Sequence, residues 1–232
     1  MKNLVGLLTL PFLFFSGCQT ARTGPTQHES AHFDLDQSEL TRVELRMGAG
    51  ELNVVGGSPK LAEADFTYAV ASWKPNVEYH STGVRGDLVI SQPTGVGGFG
   101  NTEYRWDVKL NDGVQMDIVT KLGAGEANLN LASMNLRNVD LNIGVGEVKV
   151  DLRGNPKRSY DVRINGGVGE ATILLPRSVG IDALAEGGIG EIDVRGLEKR
   201  NERWINASQE NSPVTIHVNV KGGVGSIHLL AE

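Results

Sequence analysis

The sequence predicts an all-β domain built from stacked strand-turn-strand repeats, and two observations support this prediction. The first is a glycine phrase, Gly-x-Gly-Glu in most copies, that recurs along the chain. Copies from Gly123 onward are offset by 21, 23, 21 and 35 residues, which is typical of stacked supersecondary units rather than of independent domains. The predicted bend residues are Gly48, Gly50, Glu51, Gly123, Gly125, Glu126, Gly144, Gly146, Glu147, Gly167, Gly169, Glu170, Gly188, Gly190, Glu191, Gly223 and Gly225.

The second observation is the alternation of apolar residues on both sides of each phrase. Around the copy at Gly144, the apolar positions are Val139, Leu141, Ile143, Val148, Val150 and Leu152. A period of two indicates β-strands with one buried face, so Lys149 and other charged residues between them face water. The glycines permit a positive φ or a close backbone approach at the bend, which a Cβ would obstruct. Repeats that stack bury their aliphatic faces and pair their strand edges.

The N-terminal segment predicts export. A short positive start is followed by an apolar run of 12 residues, Leu4 to Phe15, which is too short for a membrane span of about 20 residues. The run ends in Phe15-Ser16-Gly17-Cys18, which resembles the bacterial lipobox. That resemblance implies cleavage before Cys18, acylation of this residue and a durable membrane anchor. An ordinary cleaved signal with a chance cysteine is the alternative.

Three segments follow from these patterns. Residues 1–17 are the predicted signal peptide, residues 18–39 a flexible tether and residues 40–232 the β-repeat domain. The tether is polar and has no sustained apolar period, so its His28 and His32 are interpreted as solvated side chains rather than a metal pair. In the lipoproteins that this segment resembles, an Asp after the cysteine favours inner-membrane retention, so Gln19 implies the periplasmic face of the outer membrane in an organism that has one.

Charge and cysteine content restrict the function classes. Removal of the signal peptide takes away only Lys2 and leaves 21 basic against 28 acidic side chains, a net charge of −7. This balance argues against nucleic-acid binding and against electrostatic docking on anionic lipid. The single cysteine excludes an internal disulfide framework.

Several stretches together resemble the toast-rack domain family from about Leu40 to the C-terminus. They are the segment 42–52, Ala64-Asp65-Phe66-Thr67-Tyr68, the segment 73–79 and the repeated Gly-x-Gly-Glu phrases. These bacterial domains of unknown function are similar to the C-terminal region of LiaF-like proteins of the cell-wall-active-antibiotic response. The resemblance implies a right-handed, β-solenoid-like stack outside the cytoplasm and no catalytic residues. A β-sandwich-like roll is the alternative architecture.

Other motifs have simpler interpretations. The repeated glutamates are interpreted as turn caps rather than calcium ligands. The GxGxxG match at Gly95–Gly100 leads into a strand-like segment, so it predicts a loop between strands instead of a dinucleotide site. His217 and His228 are two ligands at most, which is too few for a metal site. No metal, cofactor or catalytic group is therefore expected.

The expected function is a non-enzymatic cell-envelope lipoprotein that acts as an interaction or sensing module, with a possible link to envelope stress. Its partners would be the membrane, through the lipid, and an envelope protein or glycan. Trp73 and Trp204 are the candidate ligand-contact aromatics, since aromatic faces suit sugar rings, although capping of the stack ends explains them equally well. A polysaccharide-acting enzyme and a purely structural or adhesive solenoid are the alternatives.

Overall fold

The computed structural model describes residues 24–93 and 103–232, which form a single sheet of 13 strands. The strands are β1 (Gln27–Phe33), β2 (Leu40–Val55), β3 (Ala62–Tyr68), β4 (Asn76–Thr82), β5 (Arg85–Ser91), β6 (Tyr104–Leu110), β7 (Gln115–Asn130), β8 (Leu136–Asp151), β9 (Tyr160–Leu175), β10 (Gly180–Arg195), β11 (Glu198–Arg200), β12 (Arg203–Ile205) and β13 (Thr215–Ala231). A short 3-10 turn spans Ala71–Trp73. Within the described ranges, no helix is long and apolar enough to cross a membrane.

Six long strands form the body of the molecule. They lie parallel in the order β2, β7, β8, β9, β13, β10, and each contains one glycine phrase near its middle. We call the residues before the phrases the leading half-sheet and the residues after them the trailing half-sheet. Inner-facing residues of both halves, such as Val139 and Val150 at 0% exposure, belong to one hydrophobic core. The predicted stack of strand-turn-strand repeats is confirmed.

The glycines at the bends are required by the stacking itself. The second glycine of each phrase has a φ between 128° and 146°, where L side chains are strained. A Cβ on Gly146 would also lie 1.8 Å from the carbonyl oxygen of Gly125 in the neighbouring strand, and one on Gly144 would lie 2.3 Å from that of Gly123. The first glycine therefore serves close approach, and the second serves both approach and conformation.

The spatial order of the strands departs from the sequence order at one place. β13, the last strand, lies between β9 and β10 and pairs with both in parallel. The 35-residue offset before the final phrase contains β11 and β12, and β12 pairs antiparallel with β10 at Asp182 and Ala183. This short hairpin occupies the outer side of β10 in the leading half-sheet.

The other end of the stack is covered on both halves. β5 pairs with the leading half of β2, and β6 pairs with its trailing half. Between them the side-chain oxygen of Gln92 accepts hydrogen bonds from the N–H groups of Gly48 (2.7 Å) and Ala49 (3.3 Å). β4 then pairs antiparallel with β5, while β3 and β1 extend the sheet beyond β6.

The predicted flexible tether is wrong in part, because β1 lies within residues 18–39. All seven residues of β1 pair with β3. The strand is polar since it forms the edge of the sheet, with His28 and His32 both exposed on its outer side. Edge strands bury only one side of their backbone and part of one face, so their apolar pattern is weak.

Candidate interaction surfaces

An exposed aliphatic row runs along the outside of the bends. The middle residues of the glycine phrases are neighbours in register, in the order Ala49, Ala124, Val145, Val168, Val224, Ile189. The last four are 53%, 49%, 47% and 73% exposed. We call this row the spine. Large aliphatic side chains that are grouped and exposed mark an interaction surface more often than isolated ones do.

A row of carboxylates lies beside the spine. Glu51, Glu126, Glu147, Glu170 and Glu191 occupy equivalent positions in five strands, and Ser226 takes the sixth. The expected turn-capping role is wrong: the hydrogen bonds of these carboxylates in the described ranges go to side chains, from Asn53 to Glu51 at 3.0 Å and from Thr172 to Glu170 at 3.4 Å. The bend backbones instead continue the strand-to-strand pairing.

Part of this carboxylate row lines an open groove of about 290 Å³ with Lys149 and Thr172. Within residues 24–93 and 103–232, no three histidine, cysteine or acidic side chains are placed to hold a metal ion. The groove is therefore a polar flank of the spine.

The residue directly before the glycine phrase and the residue directly after it face each other at the inner corner of each bend. This corner differs between the first three long strands, β2, β7 and β8, and the other three, β9, β13 and β10. Directly before the phrase, β2, β7 and β8 carry Met47, Leu122 and Ile143, whereas β9, β13 and β10 carry Gly166, Gly222 and Gly187. In β13 and β10 an isoleucine from the other side of the bend fills the space, since Ile227 Cδ1 lies 3.2 Å from a Cβ built on Gly222 and Ile192 Cδ1 lies 3.5 Å from one on Gly187.

In β9 both corner residues, Gly166 and Ala171, are small. A Cβ on Gly166 would meet only the Lys221 carbonyl oxygen, at 3.9 Å. A cavity of about 30 Å³ remains there, and Ile143, Ile164 and Val220 are among its lining residues. This volume is about that of one water molecule, so the cavity is a packing defect of the corner rather than a ligand pocket.

A buried carboxylate lies at the start of the stack. Glu44 on β2 has a side chain only 2% exposed and pairs with Arg42 (2.5 Å), Arg46 (2.6 Å) and Lys121 (3.0 Å). The hydrogen bond from Arg46, with help from Arg42 and Lys121, lowers the pKa of Glu44 to about 2 against the opposing effect of burial. Its three basic partners reach solvent, and the cluster holds β2 to β7.

The histidines of the last strand each contact acidic residues. His217 Nδ1 lies 3.4 Å from Asp182, and His228 lies 3.7 Å from both Glu170 and Asp193. The two histidines lie in opposite half-sheets, so they do not form a metal pair. Their side chains are 43% and 26% exposed, which agrees with their interpretation as surface residues.

The two predicted ligand-contact aromatics, Trp73 and Trp204, differ in burial. Trp73 is wrong as an exposed candidate, because it is 6% exposed and packs edge-on against Tyr104 at 5.5 Å in the core at the β1 end. A pattern of neighbouring residues could not show this, since the 3-10 turn folds Trp73 inward. Trp204 is half-buried on β12, packs against the core and has Lys199 5.4 Å above its ring. Both tryptophans close an end of the stack.

Two predicted sites lie outside the described residues. They are the lipidation site Cys18 and the Gly95–Gly100 phrase.

Comparison with known proteins gives one family model and several solved structures. A family model described as the N-terminal domain of toast_rack, DUF2154, matches residues 22–174. A crystal structure from Clostridium sporogenes, described as a "putative cell adhesion protein", is 34% identical with a TM-score of 0.86, and the match covers 89% of this chain and 100% of that one. A "putative adhesin" from Parabacteroides merdae is 11% identical with a TM-score of 0.30 and covers 88% and 97%. No curated protein matches.

The bent parallel strands, with their glycine phrases in register, thus define a β-repeat stack. Its described surface carries the spine, and no metal-binding cluster is found among the described residues. The chain belongs to the toast-rack family, as its repeated phrases predicted.

Proposed function

We propose that the protein is a non-enzymatic interaction module of the cell envelope, held at a membrane by a lipid on Cys18, and that the spine contacts its partner. The spine is the observation that carries the proposal. Val145, Val168 and Val224 are each about half exposed although they are central in the stack. Since a polar side chain would fit these positions as well, their aliphatic character is not required for folding.

One relative supports the same kind of role. The Clostridium sporogenes protein, whose whole length this chain matches, is described as a "putative cell adhesion protein". Adhesion requires a stable surface rather than reactive groups. The spine suits this need because it stands on six paired strands and is rigid, and rigid surfaces lose little entropy on binding. Carboxylates along one flank would favour a partner with basic groups beside an apolar strip.

Site-specific photo-crosslinking would test the spine. A photoreactive residue is placed at Val168 of the full chain in intact cells, with a matched variant at Asp161, which is exposed on the leading half of the same strand, β9. We expect Val168 to give a crosslinked product with a second envelope component at least tenfold more strongly than Asp161. Equal yields at the two positions, or no product from either, would contradict a role for the spine.

The anchor requires a separate experiment. Metabolic labelling with a fatty acid should mark the wild-type chain and leave Cys18→Ala unlabelled, and fractionation should move the variant out of the membrane. Gln19 leads us to propose the periplasmic face of the outer membrane for a cell that has one. A wild-type chain that stays unlabelled would remove the lipid from the proposal without affecting the spine.

The resemblance to cell-wall-active-antibiotic response proteins adds a proposal about regulation. If the module senses envelope stress, crosslinking at Val168 should change when cell-wall synthesis is inhibited. A constant yield would favour a purely adhesive role.

A further inference from the structure

The trailing half-sheet has two open edges. It contains nine strands, which are β1, β3, β6 and the trailing halves of β2, β7, β8, β9, β13 and β10. Within the described residues, β1 pairs only with β3, and residues 187–195 of β10 pair only with β13. A row of free N–H and C=O groups on an edge strand is a template for another strand.

Strand direction makes these two edges compatible. β1 is antiparallel to β3, β3 is antiparallel to β6, and β6 is parallel to β2. Because β2 is parallel to every long strand as far as β10, β1 runs in the same direction as β10. A second copy that is shifted along the stack without turning would therefore present its β1 as the next parallel strand beside β10.

The inner faces of the two edges match when Ala31 of a second copy lies beside Ile192. Phe33 then lies beside Val194, and all four side chains point to the core side of the sheet. Ile192 is 39% exposed, which is far more than the 3% of Ile227 in the preceding layer. Ala31, Phe33 and Val194 are each half-buried. Covering these apolar side chains would continue the core across the joint.

The outer faces match in charge at the same register. His32 lies beside Asp193, to which an imidazole N–H can donate, and Asp34 lies beside Arg195. Asp34 and Arg195 have side chains 80% and 74% exposed, and within the chain they pair with Lys60 at 3.4 Å and with Asp193 at 2.9 Å. Because ion pairs of exposed side chains are weak, both residues can turn toward a neighbour. Opposite charges across an interface fix its register and exclude wrong pairings.

The ends of the molecule are stepped, and the steps differ in depth by one strand. Beyond β10, the leading half-sheet continues for two short strands, β12 and β11, whereas the trailing half-sheet stops. Beyond β2, the trailing half-sheet continues for three strands and the leading half-sheet for two. A joint between copies would thus contain three strands on one side and four on the other, a difference of one spacing of about 4.8 Å.

We propose that copies of this chain join head to tail, with β1 of one copy added in parallel to the open edge of β10 in the next. The interface uses two different surfaces, so it forms an open row rather than a closed pair. This assembly does not depend on the spine, which stays exposed along the row.

Cysteine crosslinking would test the joint in the full chain, purified in detergent. Neighbouring Cα atoms of paired strands lie within the 4.4–6.8 Å that a disulfide needs. After mild oxidation, the double variant His32→Cys with Asp193→Cys should give a ladder of dimers, trimers and longer species. A mixture of the two single variants should give dimers and no longer species. Both yields should exceed by tenfold that of His32→Cys with Lys149→Cys.

Two results would overturn the proposal. One is a dimer from Asp193→Cys alone in the same yield, which indicates a two-fold pairing of β10 edges. The other is a double variant that shows no more product than the wild type with its single Cys18.

A charge exchange gives an independent measurement in the same detergent-purified full chain. Asp34→Lys and Arg195→Glu should each weaken association by more than tenfold in sedimentation experiments, because each places like charges side by side. The combined variant should restore association, since the charges are opposite again. Single variants that associate like the wild type, or a combined variant that stays weak, would contradict the proposed register.

Discussion

Strands near the two ends of the stack fill the inner corner of the bend from opposite sides. In β7 the larger residue comes before the phrase, with Leu122 opposite Ala127, whereas in β13 it comes after, with Gly222 opposite Ile227. Leu122 and Ile227 are 2% and 3% exposed. The comparison shows that either side of the bend can supply the large residue of the corner. The glycines of the phrase are constrained in every layer.

The largest loss of stability is expected at the glycines of the phrase, which are present in every layer. Gly146→Val would place a Cβ 1.8 Å from the carbonyl oxygen of Gly125 at a φ of 138°. Backbone strain and overpacking each cost about 1–3 kcal/mol, so we expect a loss of about 4 kcal/mol in the free energy of unfolding, measured by urea denaturation. Val145→Ala, at the exposed neighbouring position, is the control. An unchanged melting temperature for Gly146→Val would contradict the stacking requirement.

The corner itself is tested by truncation from either side. Ile227→Ala and Leu122→Ala should each cost about 3 kcal/mol, as large-to-small changes in a core do. Adding Gly222→Ala to Ile227→Ala should recover part of that loss, since the new methyl group enters the vacated space. The double-mutant cycle measures this coupling. Strict additivity would show that the two residues do not share one space.

The buried carboxylate of Glu44, on β2 at the start of the stack, makes the stability depend on pH. Glu44→Gln should cost about 2 kcal/mol at pH 7, because hydrogen bonds to a charged group are lost. The folded pKa of about 2 lies below the ordinary value of 4.5, so this stabilisation is present above pH 4.5 and is lost as the pH falls toward 2. Denaturation of both proteins between pH 7 and pH 2 should give converging stabilities. A constant difference would contradict the assignment.

The smallest effect is a gain at the one corner that neither side fills. Gly166→Ala should stabilise the protein by about 0.5–1 kcal/mol, because the backbone there has no positive φ and the new methyl group enters an existing cavity. Gly169→Ala, three residues along, is the matched control and should destabilise it, since its Cβ would lie 1.7 Å from the Gly146 carbonyl oxygen. Calorimetry would separate the two signs. A destabilising Gly166→Ala would show that the corner must stay open.

Much of the fold could be predicted because its determinants are local and repeated. The phrase at Gly144 and the alternation of Val148, Val150 and Leu152 specify a bend between two half-buried strands without any knowledge of distant contacts. The sequence also shows that a glycine precedes three of the six phrases. The role of these glycines could not be predicted, because it depends on Ile227 and Ile192 reaching across the bend.

Other features depend on contacts that no local pattern encodes. The layer formed by β5 and β6 is recognised only by its pairing with β2. β1 is too polar to suggest a strand until β3 is beside it. The exposed state of Val168 could not be read from its type, because an aliphatic residue between two glycines is equally compatible with burial.

The central position of β13 has a consequence for how the domain is completed. β13 follows β10, β11 and β12 in the sequence but is an interior layer, so β10 has no parallel neighbour until β13 inserts beside it. A chain that ends before Thr215 would lack the layer between β9 and β10, so both of these strands would lose a parallel neighbour. Because β9 and β10 are joined in the sheet only through β13, a product truncated before Thr215 should be an easy substrate for proteases.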